Sequence, residues 1–568
     1  MTPMRRSLTV TVGMLLIALT APEAWAQTVL ARVADGESGQ PVIGALVHLV
    51  VPIEGTQRST LTDDLGRALF VGVSGGGMRL RAEMIGRATT ETNLFSVGQT
   101  ETVSREIRMA PSAIMLEGID VSASERCEIR GGEEGMIVSD VWNEARKALV
   151  AASITDNRGL YRYETVRYDR DIDAETDAVL SEERQRRDSY MRTPFESKPA
   201  EELVLRGFIQ DDGGADVYYA PDAAALLSDV FLDTHCFRLA KERNAQGFIG
   251  LEFEPTEDRD VPDIRGAMWL DPATAELQWL EYRYTGLDRE RRSPRVGGRV
   301  DFRRMPDGSW VVPEWWIRMP VVGVSQDYQG NRNTRIVRYH QTGGLVLEVR
   351  EAGGRALGRL ARTGGIEGVV RDSLGLPLRG VRVGIVGSNQ EVYSKADGRY
   401  SITELPEGRY RIRFVDERLE VMGYVPEPLE RDVVPGEMSW LEYVTPSAGD
   451  VLFEACRGEE MTENLVRLAG VVVDEHGEGI ALARVRVSYT RFRIPTGTIL
   501  QDESWMEIAT TRKGFFKFCG VPPNTRLIVD VSFGEDVSEQ AILEIPDNET
   551  GRMMMIELSR GTRFRAGM

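Results

Sequence analysis

The sequence predicts a mainly β, multidomain protein: three small seven-stranded sandwiches and a middle α+β domain built on an antiparallel meander. Three observations predict it. One strand–turn–strand grammar occurs three times, beginning near Val29, Ile366 and Leu468. Each occurrence is followed by a second, glycine-centred turn and another strand pair. Between the first and second occurrences lies a long stretch of different patterning, with two helix-period segments ahead of a series of strand-period ones.

The first residues read as a secretory leader. Arg5 and Arg6 form a basic start, Leu8 to Leu19 is mostly apolar but too short to span a bilayer, and Ala24-Trp25-Ala26 is a small-x-small cleavage site. The expectation is a signal peptide over 1–26 and a mature chain from Gln27. No later segment approaches the ~18 apolar residues of a membrane span, so no transmembrane helix is expected in the mature chain.

The first sandwich is expected over 27–112. Val29 to Ala34 alternates, Gly39-Gln40-Pro41 turns, and Ile43 to Val50 returns. Thr62-Asp-Asp-Leu-Gly66 then sets a hairpin, because glycine supplies the positive φ that the turn needs. The middle domain is expected over 125–355. Ser139 to Ala152 reads as an amphipathic helix with Ser139 as N-cap and Val141, Ala145, Ala148, Leu149 and Ala152 as the buried stripe. Leu160 to Ile172 reads as a long strand, and Pro221 to Leu232 as a second helix with Asp222 near its start. A meander follows, with strands at Phe248–Phe253, Ile264–Leu270, Leu277–Tyr284, Gly298–Arg304, Trp310–Met319 and Arg335–Tyr339. Glu182 to Asp188 and Glu290 to Arg295 read as mixed-charge loops. The second sandwich is expected over 363–447 and the third over 465–560. They turn at Gly375-Leu-Pro377 and Gly477, then at Asp397-Gly398 and Gly514.

These glycine- and proline-marked turns resemble the carboxypeptidase regulatory-like domain. Residues 366–414 match its pattern closely. Residues 468–532 match with Arg512-Lys513 in place of Thr-Asp, and 29–110 match more loosely. The resemblance implies transthyretin-like, starch-binding-like β-sandwiches. It implies periplasmic, outer-membrane-associated or secreted placement, and carbohydrate or protein binding. Leu116 to Ala123 resembles the junction that follows such a domain in TonB-dependent outer-membrane receptors, but the rest lacks the aromatic-girdled strands of a barrel. Gly266 to Leu277 resembles a strand–turn–strand unit of the curved sheets of LolA-type envelope proteins.

Composition narrows the function. With 69 Lys and Arg against 88 Asp and Glu, the net charge of −19 repels phosphate backbones, so nucleic acid is not an expected partner. Only four histidines occur, His48, His235, His340 and His476. None has Glu three residues on, so the zinc pair of a metallocarboxypeptidase is missing, as are HExxH and a GxSxG nucleophile elbow. Asp169, Asp171, Asp173, Glu175 and Asp177 alternate like a calcium loop, but Ala174 and Leu180 stand where that loop needs Gly and Glu. The expectation is therefore a non-enzyme with no catalytic residue, metal or cofactor.

The four cysteines, Cys127, Cys236, Cys456 and Cys519, allow three connectivities. In an oxidising compartment Cys127–Cys236 and Cys456–Cys519 are expected, because each pair then lies within one region of the chain. Adjacent Trp315 and Trp316 face opposite sides of a strand, so one lies outside the main core. With Trp310 they form the expected ligand surface. A binding or scaffolding role toward an envelope protein or glycan is expected, and lipid or other apolar-ligand binding by the middle domain is the alternative.

Overall fold

A computed structural model of the chain describes residues 27–558 except 53, 74–75, 99–100, 113–132, 159–160, 192, 196, 241–246, 327–331, 352, 361, 459–464, 494–499, 535 and 539. The expected leader, Cys127 and the receptor-like junction at 116–123 lie outside the described residues. The protein is mainly β and multidomain, with separate hydrophobic cores for three sandwiches and one large sheet.

The first sandwich is built from β1 (Thr28–Asp35), β2 (Leu46–Val51), β3 (Gly55–Leu61), β4 (Arg67–Val71), β5 (Arg79–Met84), β6 (Arg87–Glu91) and β7 (Thr102–Met109). One sheet has the order β4-β1-β7 and the other β3-β2-β5-β6. β1 is antiparallel to β4 and parallel to β7. Period-two alternation brings Val29, Ala31 and Val33 together with Val47, Leu49, Leu80 and Ala82 between the sheets. The same two-sheet order recurs around the central strands Gly364–Arg371 and Val466–Val473. Each of those copies has eight strands where seven were expected, because one position is split. Met438–Trp440 and Tyr443–Val444 both pair with Gly364–Arg371, and Asp536–Val537 and Ala541–Leu543 both pair with Leu527–Phe533.

A buried hydroxyl closes each copy. Thr62 Oγ1 accepts from Ala45 N at 2.8 Å and donates to Val42 O at 2.6 Å. Ser394 Oγ does the same between Val381 N and Leu378 O, and Thr510 Oγ1 between Ala483 N and Ile480 O. Each satisfies two buried backbone groups that the strand ladders leave over.

The middle region opens with α1 (Glu133–Arg158), β8 (Tyr161–Asp173) and β9 (Val179–Tyr190). α2 (Ala200–Arg206), β10 (Ile209–Asp212), β11 (Ala215–Tyr218), α3 (Ala223–Leu227) and α4 (Asp229–Thr234) follow. The meander is β12 (His235–Leu239), β13 (Ile249–Pro255), β14 (Ile264–Leu270), β15 (Leu277–Tyr284) and β16 (Gly297–Asp301). It continues through β17 (Arg303–Arg304), β18 (Trp310–Val311), β19 (Glu314–Gln326), β20 (Arg332–Glu351) and β21 (Ala356–Arg359). Ten strands form one antiparallel sheet, ordered β12-β13-β14-β15-β16-β19-β20-β8-β9 with β21 also on β20. α1 lies on one face, and the five expected stripe residues are all buried.

Four local readings are corrected. α1 starts at Glu133, so Ser139 is an exposed residue inside it and not its cap. The segment 221–232 is two short helices. Asp222 caps the first, and Ser228 ends it and caps the second by accepting from Phe231 N. The mixed-charge loop at 182–188 is part of β9, paired along β8. Its charges are compatible with a strand because they meet opposite charges across the ladder, as Arg186 meets Glu164 and Asp188 meets Arg162. The strand expected over 310–319 is two strands, interrupted at Val312-Pro313.

α1 also holds the first sandwich. Arg146 donates to Glu83 at 2.6 Å, Lys147 Nζ to the carbonyls of Met84 and Arg87, and Glu144 accepts from Gly86 N. The second sandwich sits on β9, where Arg184 donates to the Glu404 carbonyl and Arg186 pairs with the Glu404 side chain. The second and third share a small core under α5 (Glu417–Glu420) and α6 (Ala448–Ala455), formed by Leu419, Met422, Leu452 and Phe515 with Cys456 and Cys519. Among the described residues no helix is long and apolar enough to cross a membrane.

Candidate functional site on the outer face of the meander

The pleat of β19 divides its side chains between two faces. Trp315 and Ile317 point to the α1 side and join its core. Glu314, Trp316 and Arg318 point to the other side. The register then fixes what surrounds them. Trp316 is opposite Arg299 of β16 and Gly343 of β20, and Gly343 is opposite Tyr168 of β8. Arg318 is opposite Gln341, which is opposite Arg170, which is opposite Glu182.

Cations lie over aromatic rings along this face. The Arg299 guanidinium is 4.5 Å from the Trp279 ring, Arg318 is 5.0 Å from Trp316, and Arg170 is 5.1 Å from Tyr168. Trp269 adjoins Trp279 at 6.2 Å. Most charges are internally paired. Arg299 grips Asp301 with two nitrogens, and Arg170 reaches both Tyr410 Oη at 3.2 Å and Glu182 at 3.8 Å. Tyr410 Oη donates onward to Glu182 at 3.1 Å, tying the second sandwich to the sheet through a fully buried network. Burial pushes the Glu182 carboxyl above its usual range against the pull of Arg170 and Arg184.

Glu314 is a second perturbed acid of the face. Desolvation, helped by repulsion from Asp301, raises its carboxyl to about 7. Among the described residues it makes neither a hydrogen bond nor an ion pair. Arg318 is its counterpart. Burial and the neighbouring cations Arg170 and Arg295 push its guanidinium down to about 10.

The expected ligand surface is therefore only partly brought together. Trp310 is 2% exposed and lies under α1, where its backbone N–H donates to Thr155 Oγ1. Trp315 is 8% exposed, with its ring 5.0 Å from Phe195. Both are core residues: the pleat of β19 turns Trp315 to the helix side, whereas Trp310 sits on β18, which pairs with β17 apart from the large sheet and packs against α1. Trp316 alone of the three is half-buried on the outer face. Sequence reasoning missed Glu314, Arg318 and Arg299. The alternation Glu314-x-Trp316-x-Arg318 was available to place the first two with Trp316, whereas Gln341 and Arg299 join them only through register.

A cleft of about 630 Å³ separates the first sandwich from the meander, lined by Asp35, Gln40, Met84, Arg87, Glu276 and Arg304. Its charges are already satisfied: Arg87 pairs with Asp35 at 2.5 Å, and Arg304 with Glu276 and the Ile43 carbonyl. Hydrogen bonds from the Ser38 N–H and from Arg87 hold the Asp35 carboxyl well below the usual range. His235, paired with Asp263 at 3.2 Å and stacked on Phe231, has a fully buried side chain and is part of the core. Among the described residues no group of three or more His, Cys, Asp or Glu is placed to hold a metal ion. Cys456 and Cys519 form a disulfide, with Cα atoms 5.5 Å apart. Cys236 is also disulfide-bonded, and Cys127, its expected partner, lies outside the described residues.

Residues 28–110 and 365–427 match the carboxypeptidase regulatory-like domain family. No curated protein matches the sequence. Among solved structures, the Streptococcal ancillary pilin is 10% identical, with 46% of this chain and 80% of that one covered and a TM-score of 0.17. The TIE protein of Bacillus anthracis is 12% identical over 62% of this chain and 64% of that one, with a TM-score of 0.16. BcpA, the major pilin subunit of Bacillus cereus, is 10% identical over 74% and 100%, with a TM-score of 0.14.

Proposed function

We propose that this is an exported, non-catalytic envelope protein whose carboxypeptidase regulatory-like modules form a scaffold and whose meander carries the binding surface. Four units follow from this reading, at 27–112, 125–355, 363–447 and 465–560, the last being a third regulatory-like module. The third copy's strand order and its Thr510 hydroxyl closure support that assignment. Export to the periplasm, the outer membrane or the medium accords with the leader pattern and the disulfides.

The observation that carries the binding role is the outer face of the meander, where a half-buried tryptophan stands among arginines and carboxylates. Such a surface suits a polar, ring-bearing partner, a glycan or a protein segment, better than a lipid. The lipid alternative needs an apolar groove on the other face, and α1 fills that face with Ala145, Ala148, Leu149 and Ala152. The test is thermal unfolding of the protein against glycans, peptidoglycan fragments and lipids. A ligand at 100 times its Kd adds ~2.7 kcal/mol to the unit that binds it. A shift with glycans, abolished by Trp316→Ala, is the expected result. A shift with lipids alone overturns the polar-ligand reading.

A further inference from the structure

Arg318 differs from its cationic neighbours. Arg299 is gripped to Asp301, Arg170 reaches Glu182, and Arg295 pairs with Asp177. Among the described residues Arg318 has no carboxylate partner. Its Nε and Nη2 both donate to one neutral acceptor, Gln341 Oε1, at 2.9 and 2.8 Å. Among the described residues its Nη1 donates to nothing. Gln341 is itself buried and fixed, its Nε2 donating to Tyr168 Oη at 3.3 Å, and Trp316 supports the guanidinium from one side. Near it, Arg170 Nε is buried with no hydrogen-bond partner.

An oriented, half-buried guanidinium without a counter-ion costs free energy, and a bound oxyanion removes that cost. We infer that Arg318 is an anion subsite, one that takes a carboxylate or phosphate group on a ligand lying along the outer face of the meander. The free Nη1 edge supplies the charge-assisted hydrogen bonds, and Gln341 and Trp316 hold the guanidinium in place for them. The inference rests on the outer face being the ligand surface, and it adds that the ligand is acidic there.

The experiment titrates the full chain with glucuronate, glucose and inorganic phosphate at low salt, following tryptophan fluorescence and heat. At least one anion is expected to bind at least tenfold tighter than glucose. Glucuronate without phosphate assigns the anion to a sugar acid, and phosphate without glucuronate assigns it to a phosphorylated ligand. Arg318→Gln is expected to lose at least tenfold of anion affinity, and Arg318→Lys to recover part of it. Competition between the two anions on the unaltered protein tests the subsite even where a variant folds poorly. Glucose binding as tightly as glucuronate, or an Arg318→Gln protein with unchanged anion affinity, overturns the subsite and leaves the outer face as a neutral-ligand surface. No binding of any of the three, with no shift from the glycan panel, overturns both.

Discussion

At Glu314 the local environment opposes ionisation. Its carboxyl lies in a half-buried place, receives no hydrogen bond and faces Asp301, so the folded state holds its proton up to about 7 against the ordinary 4.5. Because the folded value is the raised one, the associated stability is fully present below about 4.5 and is lost as pH rises to about 7. A shift of that size corresponds to ~3 kcal/mol. Glu314→Gln cannot ionise and should show no such loss. Urea denaturation at pH 4.5 and pH 8 should therefore give near-equal stabilities at the lower pH and a more stable variant at the higher one. Equal pH slopes for the two proteins would refute this account of Glu314. A backbone contact makes a second case. Gly44 and Gly308 have φ of +71° and +82°, and a Cβ on either would overlap the backbone of the other. Gly308→Ala should destabilise the join between the first sandwich and the meander by more than ~1 kcal/mol, with hydrogen exchange rising in β2 and around residue 308. Single residues were legible in the sequence where one residue type has one physical use. Gly66, Gly398 and Gly514 were identified as turn glycines, and all three have positive φ. The hydroxyls were not. Thr62 enters the sequence reading only as the start of a turn, and Ser394 and Thr510, which close the other two copies, lie outside the turn residues read there.

At the scale of elements, α1 decides how the inner face of the meander is filled. It packs on the ten-stranded sheet through small residues, Ala145, Ala148 and Ala152, with Leu149 and Val141 beside them. Small side chains bring the helix axis close to the sheet and leave little space for an apolar guest. Leu149 is fully buried, so Leu149→Ala should cost about 2–5 kcal/mol and should destabilise the meander and loosen the first sandwich together, because α1 contacts both. Limited proteolysis should then cut at both places; cutting in the meander alone would show that the Arg146 and Lys147 contacts hold the first sandwich without the helix packing. The helix stripe, and strands such as β14 and β15, could be read from periodicity because each has one buried and one solvated face. β9 could not. Half of its twelve residues are charged, all six of them between Glu182 and Asp188, and its reason for being a strand lies in β8 and in the second sandwich, which no local window contains. The candidate site was half-legible for the same cause. Alternation puts Trp316 outside the main core, but register, a property of strand pairing, brings Arg299, Gln341 and Tyr168 around it.

Across the whole molecule, stability is distributed among several cores that meet at their edges, where Leu46 and Leu61 of the first sandwich join the meander core and Val179 of β9 joins that of the second sandwich. Such a chain is expected to unfold in more than one step. The join between the second and third sandwiches has two reinforcements. Glu420 pairs with Arg382 of the second and Lys513 of the third, and the Cys456–Cys519 disulfide ties the end of α6 to the strand Phe515–Val521. The ion pairs are partly exposed and contribute little. The disulfide closes a loop across 63 residues of sequence, worth ~4 kcal/mol in the chain-entropy model. All of that loop except the α6 end belongs to the third sandwich, so the stabilisation should belong there too. A Cys456→Ser, Cys519→Ser double variant should lower one calorimetric transition and leave those of the first sandwich and the meander where they are, since distant sites act additively. A uniform fall of all transitions would mean that the cores unfold as one cooperative body, held by junctions stronger than the Tyr410 network and the α1 contacts account for. If the units are independent, the third sandwich can unfold while the outer face of the meander keeps its arrangement. With a single cooperative body, reducing this disulfide would disorder that face as well.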